Sequence, residues 1–209
     1  MATYVPAELQ PAAATGLTCP RCRFAAPMVP VAALRFRCTR CEWLFNLAAP
    51  SVSSPAVPAS TVAAANSTGT VVAVTISANG ATITAVTVNG SQAGTTAGTY
   101  LVPVSGTIAV TYSVATPTWA WALPVTSAAV SAGGTALPFT AGGTSFAAGQ
   151  VLIVDPSGTS DVVLASGTPT ATSVPVNSLN SAHNSGVSVA VAALSPALSG
   201  VQAVPQTAY

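Results

Sequence analysis

Four cysteines in two pairs are the residues of this chain best suited to chemistry. Cys19 and Cys22 form one C-x2-C motif, Cys38 and Cys41 form a second, and fifteen residues separate the two motifs. Two residues between thiolates allow one tight turn to direct both sulfurs at one ion, and two such turns complete a tetrahedral site. Because a closed four-thiolate site leaves no position for a substrate, the spacing predicts a structural zinc ion.

Two disulfides or an iron centre are the alternatives for these thiols. The N-terminus, Met1 to Glu8, lacks the basic stretch and apolar core of a secretory signal, so we expect synthesis and assembly in a cytosol. In that reducing setting paired C-x2-C motifs favour metal ligands over disulfides, and the ligand spacing favours zinc over iron. A segment this short buries too little apolar area to fold alone, whereas structural zinc supplies on the order of 10 kcal/mol in comparable peptides.

All five arginines of the chain lie close to these cysteines. They are Arg21, Arg23, Arg35, Arg37 and Arg40, and there is no lysine. Residues 1–42 also hold two glutamates, for a net charge of +3, and the rest of the chain holds only two aspartates. A basic cluster is the electrostatic footprint of phosphate binding. Because this cluster is small, we expect it to solubilise the segment or to meet an acidic partner protein, and nucleic-acid binding is the weaker alternative.

Outside that cluster the composition is nearly uncharged. Charged residues make up 4% of the chain, against roughly a quarter in an ordinary soluble domain. The mean hydropathy is +0.62, yet Ser or Thr interrupts every apolar run before the roughly 18 residues that a membrane-spanning helix needs. We therefore expect no membrane association and a surface of Thr, Ser, Asn and Gly.

The composition of the chain and the spacing of its apolar residues predict the elements that position the cysteines. Leu34 and Phe36 alternate with arginines as on a half-buried strand, and Trp43 and Phe45 continue the two-residue period. A segment rich in Pro, Ala and Ser then predicts an extended, semi-rigid linker. The predicted segments are an N-terminal arm (1–14), a zinc ribbon (15–47), the linker (48–68), a β-sandwich module (69–123), a second β module (124–195) and a C-terminal tail (196–209).

Short alternating strands separated by turn signals fill residues 69–195. Asn79-Gly80 and Asn89-Gly90 are the pairs that two-residue hairpin turns prefer. In the second module we expect strands at about 125–131, 135–140, 150–155, 160–165, 173–177 and 186–192. The predicted fold class is mainly β, a four-cysteine zinc ribbon followed by one or two antiparallel β-sandwich or barrel-like modules. Half-apolar strands need a second layer or a partner chain.

Few other residues could do chemistry. His183 is the sole histidine, and Asp155 and Asp161 are the only carboxylates beyond residue 42. A catalytic histidine needs a nucleophile and an orienting carboxylate, and we interpret both aspartates instead as caps of the turn between them. The chain has no nucleophile elbow and no phosphate loop. The sequence therefore predicts a protein that is not an enzyme.

Trp119 and Trp121 lie two residues apart and so share one face of a strand. Packing in a core or a subunit interface is the preferred interpretation. A sugar-stacking platform on the surface of a β-sandwich is the alternative.

Two stretches of the β region are similar to known protein modules. One runs from Val86-Thr-Val-Asn-Gly90 to Trp119-Ala-Trp121, and the other from Phe146 through Asp155 to Leu179-Asn-Ser-Ala-His183-Asn-Ser-Gly186. The first resembles a small β-sandwich of virion structural proteins of tailed bacteriophages, especially those of actinobacteria. The second resembles a β-module of phage surface proteins, in which the histidine belongs to a recurring turn. The cysteine motifs are similar to generic zinc ribbons.

The resemblance implies a virion component. The first hypothesis is a capsid decoration or minor capsid protein, assembled in the host cytoplasm, which docks on the major capsid protein and forms homo-oligomers. A nearly uncharged β protein with uncovered sheet faces suits such a multi-copy assembly. The alternatives are a tail or baseplate protein that binds host glycans through Trp119 and Trp121, and a nucleic-acid-binding ribbon.

Overall fold

The computed structural model describes residues 19, 21–22, 29–32 and 34–194, and these consist of strands, turns and one short 3-10 turn at Gly143–Ser145. The mainly β fold class is confirmed. No helix in this described part is long and apolar enough to cross a membrane. The strands are β1 (Val29–Ala32), β2 (Arg35–Arg37), β3 (Leu44–Ala48), β4 (Ala63–Ala65), β5 (Val72–Ser77), β6 (Thr82–Val88), β7 (Ser91–Gly94), β8 (Gly98–Val102), β9 (Thr107–Ser113), β10 (Thr118–Ala122), β11 (Ala136–Pro138), β12 (Val151–Val154), β13 (Asp161–Leu164), β14 (Ser173–Pro175), β15 (Val189–Val191) and β16 (Ala193–Leu194).

The ribbon is an antiparallel sheet in the order β1-β2-β3-β16. Burial alternates along β2 and β3, as the sequence period predicts, and places Phe36 opposite Phe45 with their ring centroids 6.0 Å apart. The fourth strand comes from the far end of the second module, because Ala193 pairs with Ala48. The ribbon sheet is therefore completed by residues about 145 positions later in the chain.

The first β module is a sandwich of two antiparallel sheets. One sheet has the order β10-β5-β8, and the other has the order β4-β9-β6-β7. The two sheets share one buried core, formed by Val72, Val74, Ile76, Val86, Val102, Ile108, Val110 and Trp121. The strands thus obtain the second layer that their half-apolar pattern requires.

The two Asn-Gly turns have the same backbone conformation, but only one of them joins two paired strands. Both residues of Asn89-Gly90 have positive φ, 52° and 76°, and the turn joins the paired strands β6 and β7, which confirms a hairpin. Asn79-Gly80 also turns tightly, with φ of 47° and 83°. However, the hairpin expected here is wrong, because β5 and β6 belong to opposite sheets. An Asn-Gly pair specifies the turn conformation and does not specify which strands become partners.

The segment interpreted as a linker, residues 48–68, is packed onto the first module. Its Ala63–Ala65 forms β4 and pairs with β9, so the interpretation as a linker is wrong for these residues. The preceding residues 49–62, here called the strap, form no strand, turn at residues 59–61 and border the same module. Ser54 Oγ accepts a hydrogen bond of 2.8 Å from the N–H of Trp121 on the edge strand β10. A segment without an apolar period still offers hydroxyl and carbonyl groups to a sheet edge.

The second β module contains the sheet β13-β12-β15 and the strand pair β11-β14. The strand expected at 125–131 is wrong, since this segment makes only isolated bridges at Val125 and Val130. Thr126 donates its N–H to Val187 and Val130 donates to His183, so residues 124–130 lie antiparallel to residues 183–189 in one register. Ser127 instead donates to Pro138, so the bridges at Val125 and Val130 are not joined into a continuous ladder.

The two β modules meet at neighbouring residues of the chain. Val71 and Val72 are both fully buried, but Val71 belongs to the core of the second module and Val72 to that of the first. Successive residues of an extended chain point in opposite directions, which explains this division. Beside them, Thr70 Oγ1 accepts a hydrogen bond of 2.8 Å from the N–H of Val191.

Strand β12 connects the second module to the ribbon. Leu152 and Val154 face the core of the second module, whereas Ile153 is fully buried in the cluster that contains the ribbon's aromatic residues. A strand covered on both faces has a continuous apolar sequence, and Val-Leu-Ile-Val has this character. The ribbon therefore packs on the back of the second module's sheet.

Candidate metal centre

The sulfurs of Cys19, Cys22, Cys38 and Cys41 converge, each within 4.8 Å of the others. The Sγ–Sγ distance is 3.6 Å both between Cys19 and Cys41 and between Cys22 and Cys38. None of the four forms a disulfide, whose sulfurs would lie about 2.05 Å apart. A tetrahedral ion with metal–sulfur bonds of about 2.3 Å separates its sulfur ligands by roughly 3.8 Å. The four cysteines therefore form a candidate metal-binding site.

Backbone hydrogen bonds shape the turn that carries the second cysteine pair. The Cys38 N–H donates to the Trp43 carbonyl at 2.9 Å, and the Glu42 N–H donates to the Cys38 carbonyl at 3.0 Å. Glu42 has a φ of 57°, which lets the chain reverse into β3. Cys19 and Cys38 are fully buried, while Cys22 and Cys41 are half-buried. One side of the sulfur cluster is thus closed by the ribbon itself.

The thiols differ in acidity. Burial raises the pKa of Cys38, but the backbone N–H groups of Cys41 and Arg40, followed by the thiols of Cys22 and Cys41, outweigh burial and lower this pKa from 9.0 to about 6. For Cys41 the Trp43 N–H lowers the pKa, but burial and the three other thiols raise it to about 12. Without a cation, the cluster therefore favours one thiolate that neighbouring thiols stabilise. Four thiolates this close together require a positive ion.

The arginines around the cysteines lie on the surface. The exposed members are Arg21, Arg35, Arg37 and Arg40, and Arg23 lies outside the described residues. Arg35 and Arg37 share the face of β2 opposite the buried Phe36. The guanidinium carbon of Arg21 lies 4.9 Å from the ring centroid of Trp43, an arrangement worth about 0.5–1 kcal/mol at an exposed site. The Trp43 ring is therefore in contact with a cation of its own chain.

Trp119 and Trp121 pack against each other with ring centroids 5.7 Å apart and an edge-on angle of 69°. Trp121 is buried in the core of the first module, and Trp119 is half-buried beside it. The indole N–H of Trp119 donates a hydrogen bond of 2.8 Å to the carbonyl of Pro55 in the strap. The contacts of both rings are those of core residues.

A buried pair of Asp161 and His183 was not predicted. Asp161 Oδ2 accepts hydrogen bonds from the N–H groups of Asn180 at 3.0 Å and Ser181 at 2.9 Å, and lies 3.1 Å from His183 Nε2. The side chain of Asp161 thus caps a turn about twenty residues away, and the prediction that it caps the turn between the two aspartates is wrong. No hydroxyl or thiol of the described residues hydrogen-bonds to either side chain. The pair holds this turn against β13.

Asp155 does not act as the expected side-chain cap. Its carbonyl oxygen accepts hydrogen bonds from the Gly158 N–H at 3.1 Å and from Ser160 Oγ at 2.9 Å. Asp155 has a φ of 54°, a conformation that aspartate tolerates better than most residues. The turn is therefore closed by the backbone carbonyl of Asp155.

The only signal in the sequence for the Asp161–His183 pair is that a lone histidine shares a mostly uncharged region with two carboxylates. That signal could not say which aspartate would be the partner. Comparison with known proteins adds no relative, since no protein-family model, curated protein or solved structure matches the chain.

Proposed function

We propose that this chain is a non-enzymatic structural protein of a bacteriophage virion, a capsid decoration or minor capsid protein whose four cysteines hold one structural zinc ion. One observation carries the proposal. The cysteine ribbon packs on β12 of the second module and presents Arg35 and Arg37 outward, whereas residues 43–154 hold no acidic or basic side chain. The molecule thus has a cationic docking face on a β body whose only charged residues are Asp155 and Asp161. The phage context itself comes from the sequence resemblance.

Zinc is the ion that the donor set supports best. Four thiolates in a closed tetrahedron are typical of structural zinc. The sulfur separations of 3.6 Å are close to those of such a site. Cys19, Cys22, Cys38 and Cys41 would all be ligands, so the ion would organise the two turns and leave no position for a substrate.

The proposed mechanism is cementing of the capsid. The arginine face binds acidic groups of the major capsid protein, which favours fast and correctly oriented docking. Because the ribbon packs on β12, docking of the arginine face also orients the β modules relative to the capsid. Contacts repeated over a symmetric shell add up through avidity, so that each individual contact needs little affinity.

A non-enzymatic role fits the distribution of reactive groups. In the described part of the chain, the buried Asp161–His183 pair contacts backbone N–H groups and no nucleophile. The four thiols are committed to a closed cluster. Neither constellation has the arrangement of nucleophile, base and orienting group that covalent catalysis uses.

The zinc is tested by metal analysis of the full chain, purified without chelators. We expect one zinc per chain by inductively coupled plasma mass spectrometry, and release of that zinc when a mercurial reagent titrates the thiols. Cys22→Ser should lose the zinc, whereas Thr39→Ser, an exposed neighbour of Cys38, should keep it. Bound iron, or two disulfides in the protein as purified, would overturn the assignment of zinc.

The location is tested by quantitative mass spectrometry of separated heads and tails from virions of the encoding phage. We expect the chain on heads in many copies. Its presence in tails alone, or its absence from particles, would overturn the proposal.

The docking face is tested by adding the purified protein to capsids that lack it. Arg35→Ser combined with Arg37→Ser should weaken binding. A matched control, Thr82→Glu with Thr118→Glu, makes the same change in net charge at exposed positions of the first module and should bind normally. Equal binding by both variants would remove the arginine face as the anchor. Salt-dependent DNA retention that the arginine variant loses would instead support the nucleic-acid alternative.

A further inference from the structure

A cleft of about 270 Å³ lies between the two β modules. On one side it is lined by β7 and β8, the strands at one edge of each sheet of the first module. On the other side it is lined by residues 141–145, around the 3-10 turn of the second module. Binding sites for small molecules occur preferentially at boundaries between domains. This cleft is separate from the cysteine cluster and from the tryptophan pair.

The lining of the cleft is polar and uncharged. Ser91, Gln92 and Thr144 contribute hydroxyl and amide groups, and all three residues are exposed. The side chains of these three residues make no hydrogen bond to any other described residue, so they remain available to a ligand. Tyr100, which is half-buried, adds an aromatic ring to the lining. No acidic or basic side chain lines the cleft.

Direct contacts fix the two walls relative to each other. Ser145 Oγ donates a hydrogen bond of 3.0 Å to the carbonyl of Leu101. Gly142, with a φ of 78°, approaches the same residue so closely that an added Cβ would lie 2.8 Å from the Cβ of Leu101. Residues 142–145 of the second module are therefore in direct contact with Leu101 of the first module. A site formed in advance in this way spends little free energy on ordering when a ligand binds.

We propose that this cleft binds a neutral saccharide, with one sugar ring seated between the modules. Sugar hydroxyls both donate and accept hydrogen bonds, which matches the chemistry of Ser91, Gln92 and Thr144. The apolar C–H face of a sugar ring packs on aromatic side chains, and Tyr100 supplies one. The volume is just below the roughly 300–1,000 Å³ of sites for drug-sized ligands, which suits a single ring. An ionic ligand would find no counter-charge.

This inference does not depend on the virion role, and it places saccharide recognition at a different site from the tryptophan pair. Trp121 is buried, and the N–H of Trp119 is bonded to Pro55. Neither ring of that pair has the combination of open hydroxyl and amide groups that the cleft offers.

The test is saturation-transfer NMR on the full chain with methyl α-glucoside, methyl α-mannoside, methyl β-galactoside and N-acetylglucosamine. We expect at least one of these sugars to bind with a dissociation constant of about 1 mM, since few contacts are available. Gln92→Ala and Thr144→Ala should each weaken binding about tenfold, the usual effect of losing one well-made hydrogen bond. Thr118→Ala, an exposed threonine on β10, is the matched control and should bind like the unmodified chain.

Three results would overturn the inference. The first is that none of the four sugars binds at 20-fold the expected dissociation constant, on the order of 20 mM. The second is that a sugar binds but Gln92→Ala and Thr144→Ala leave its affinity unchanged. The third is that Trp119→Phe, which keeps the aromatic packing and removes the indole N–H, abolishes binding while the cleft variants do not. Circular dichroism of each variant checks that its fold is retained.

Discussion

The cysteine ribbon and the first β module draw their stability from different sources. The core of the first module contains eight buried residues, all from its own strands. The core of the ribbon contains Phe36, Phe45 and Leu47 with two buried cysteines, and it includes Ile153 of the second module. The first module therefore has a core of its own. The ribbon needs both its sulfur cluster and a surface that another module supplies.

The ribbon and the first module also differ in their ionisable side chains. Residues 43–154 contain no Asp, Glu, His, Cys, Lys or Arg, whereas the ribbon contains four thiols and the exposed arginines. Changes of pH, metal or redox state should thus act on the ribbon and leave the first module unaffected. A small unit with few buried apolar residues thus combines a cluster of potential metal ligands with a surface from another module, whereas the larger first module relies on its own apolar core.

Replacing Cys38 with serine should have the largest effect. It removes one of the four sulfurs and with it the metal contribution that we propose, on the order of 10 kcal/mol to folding of the ribbon. In hydrogen-exchange mass spectrometry we expect β2 and β3 to lose protection and β12 to lose part of its protection, since Ile153 becomes uncovered. Strands β5 and β9 should keep theirs. Thr39→Ser is the control, and loss of protection in β5 would show that the first module is not independent.

The fraction of the reduced ribbon that stays folded without metal should also depend on pH. The pKa of Cys38 is lowered from 9.0 to about 6, so its thiolate contributes stability that is complete above pH 9 and is lost as the pH falls to about 6. The pKa of Cys41 is raised to about 12, so its contribution is complete below pH 9 and is lost as the pH rises towards 12. Ultraviolet absorbance of thiolates should show a transition near pH 6 that disappears in Cys38→Ser. If that transition remains, another thiol is the acidic one.

Two buried isoleucines provide a matched test of independence. Ile108 and Ile153 are both fully buried, one in the first module and one between β12 and the ribbon. Each replacement by alanine should cost about 2–5 kcal/mol, because a cavity remains. Ile108→Ala should lower the unfolding temperature of the first module and leave zinc affinity unchanged. Ile153→Ala should weaken zinc retention in a competition with a chelator. Equal zinc affinity in both variants would mean that the ribbon does not depend on β12.

Local patterns in the sequence were sufficient for the cysteine cluster and for most strands. The spacing of Cys19, Cys22, Cys38 and Cys41 specified their meeting point, since two tight turns with converging thiols have few other arrangements. The alternating apolar residues of β5 and β9 indicated which side chains are buried. The same local signals predicted the hairpin at Asn89-Gly90.

Contacts between residues far apart in the sequence could not be predicted from local patterns. The pairing of β16 with β3 joins residues about 145 positions apart, and a two-residue strand has no period of its own. The hydrogen bonds of Asp161 with the turn at Asn180 likewise depend on how two strands are placed. The strap shows the same limit, because Pro and Ser residues without a period are equally compatible with a solvated linker and with an edge cover.

A substitution in the strap should have the smallest effect, and it tests whether the first module is stable without the strap. Ser54→Ala removes the hydroxyl that accepts the N–H of Trp121 on the edge strand β10. Ser54 is exposed, so water replaces part of this bond, and we expect a loss of about 0.5–1 kcal/mol in the free energy of unfolding. Ser53→Ala, at the exposed neighbouring position, is the control and should have no effect. Urea unfolding followed by tryptophan fluorescence reports on this region through Trp119 and Trp121, which contact the strap, with a further contribution from Trp43 of the ribbon. If the two serine variants are equally stable, the strap only lies along the module and the first module is stable without it.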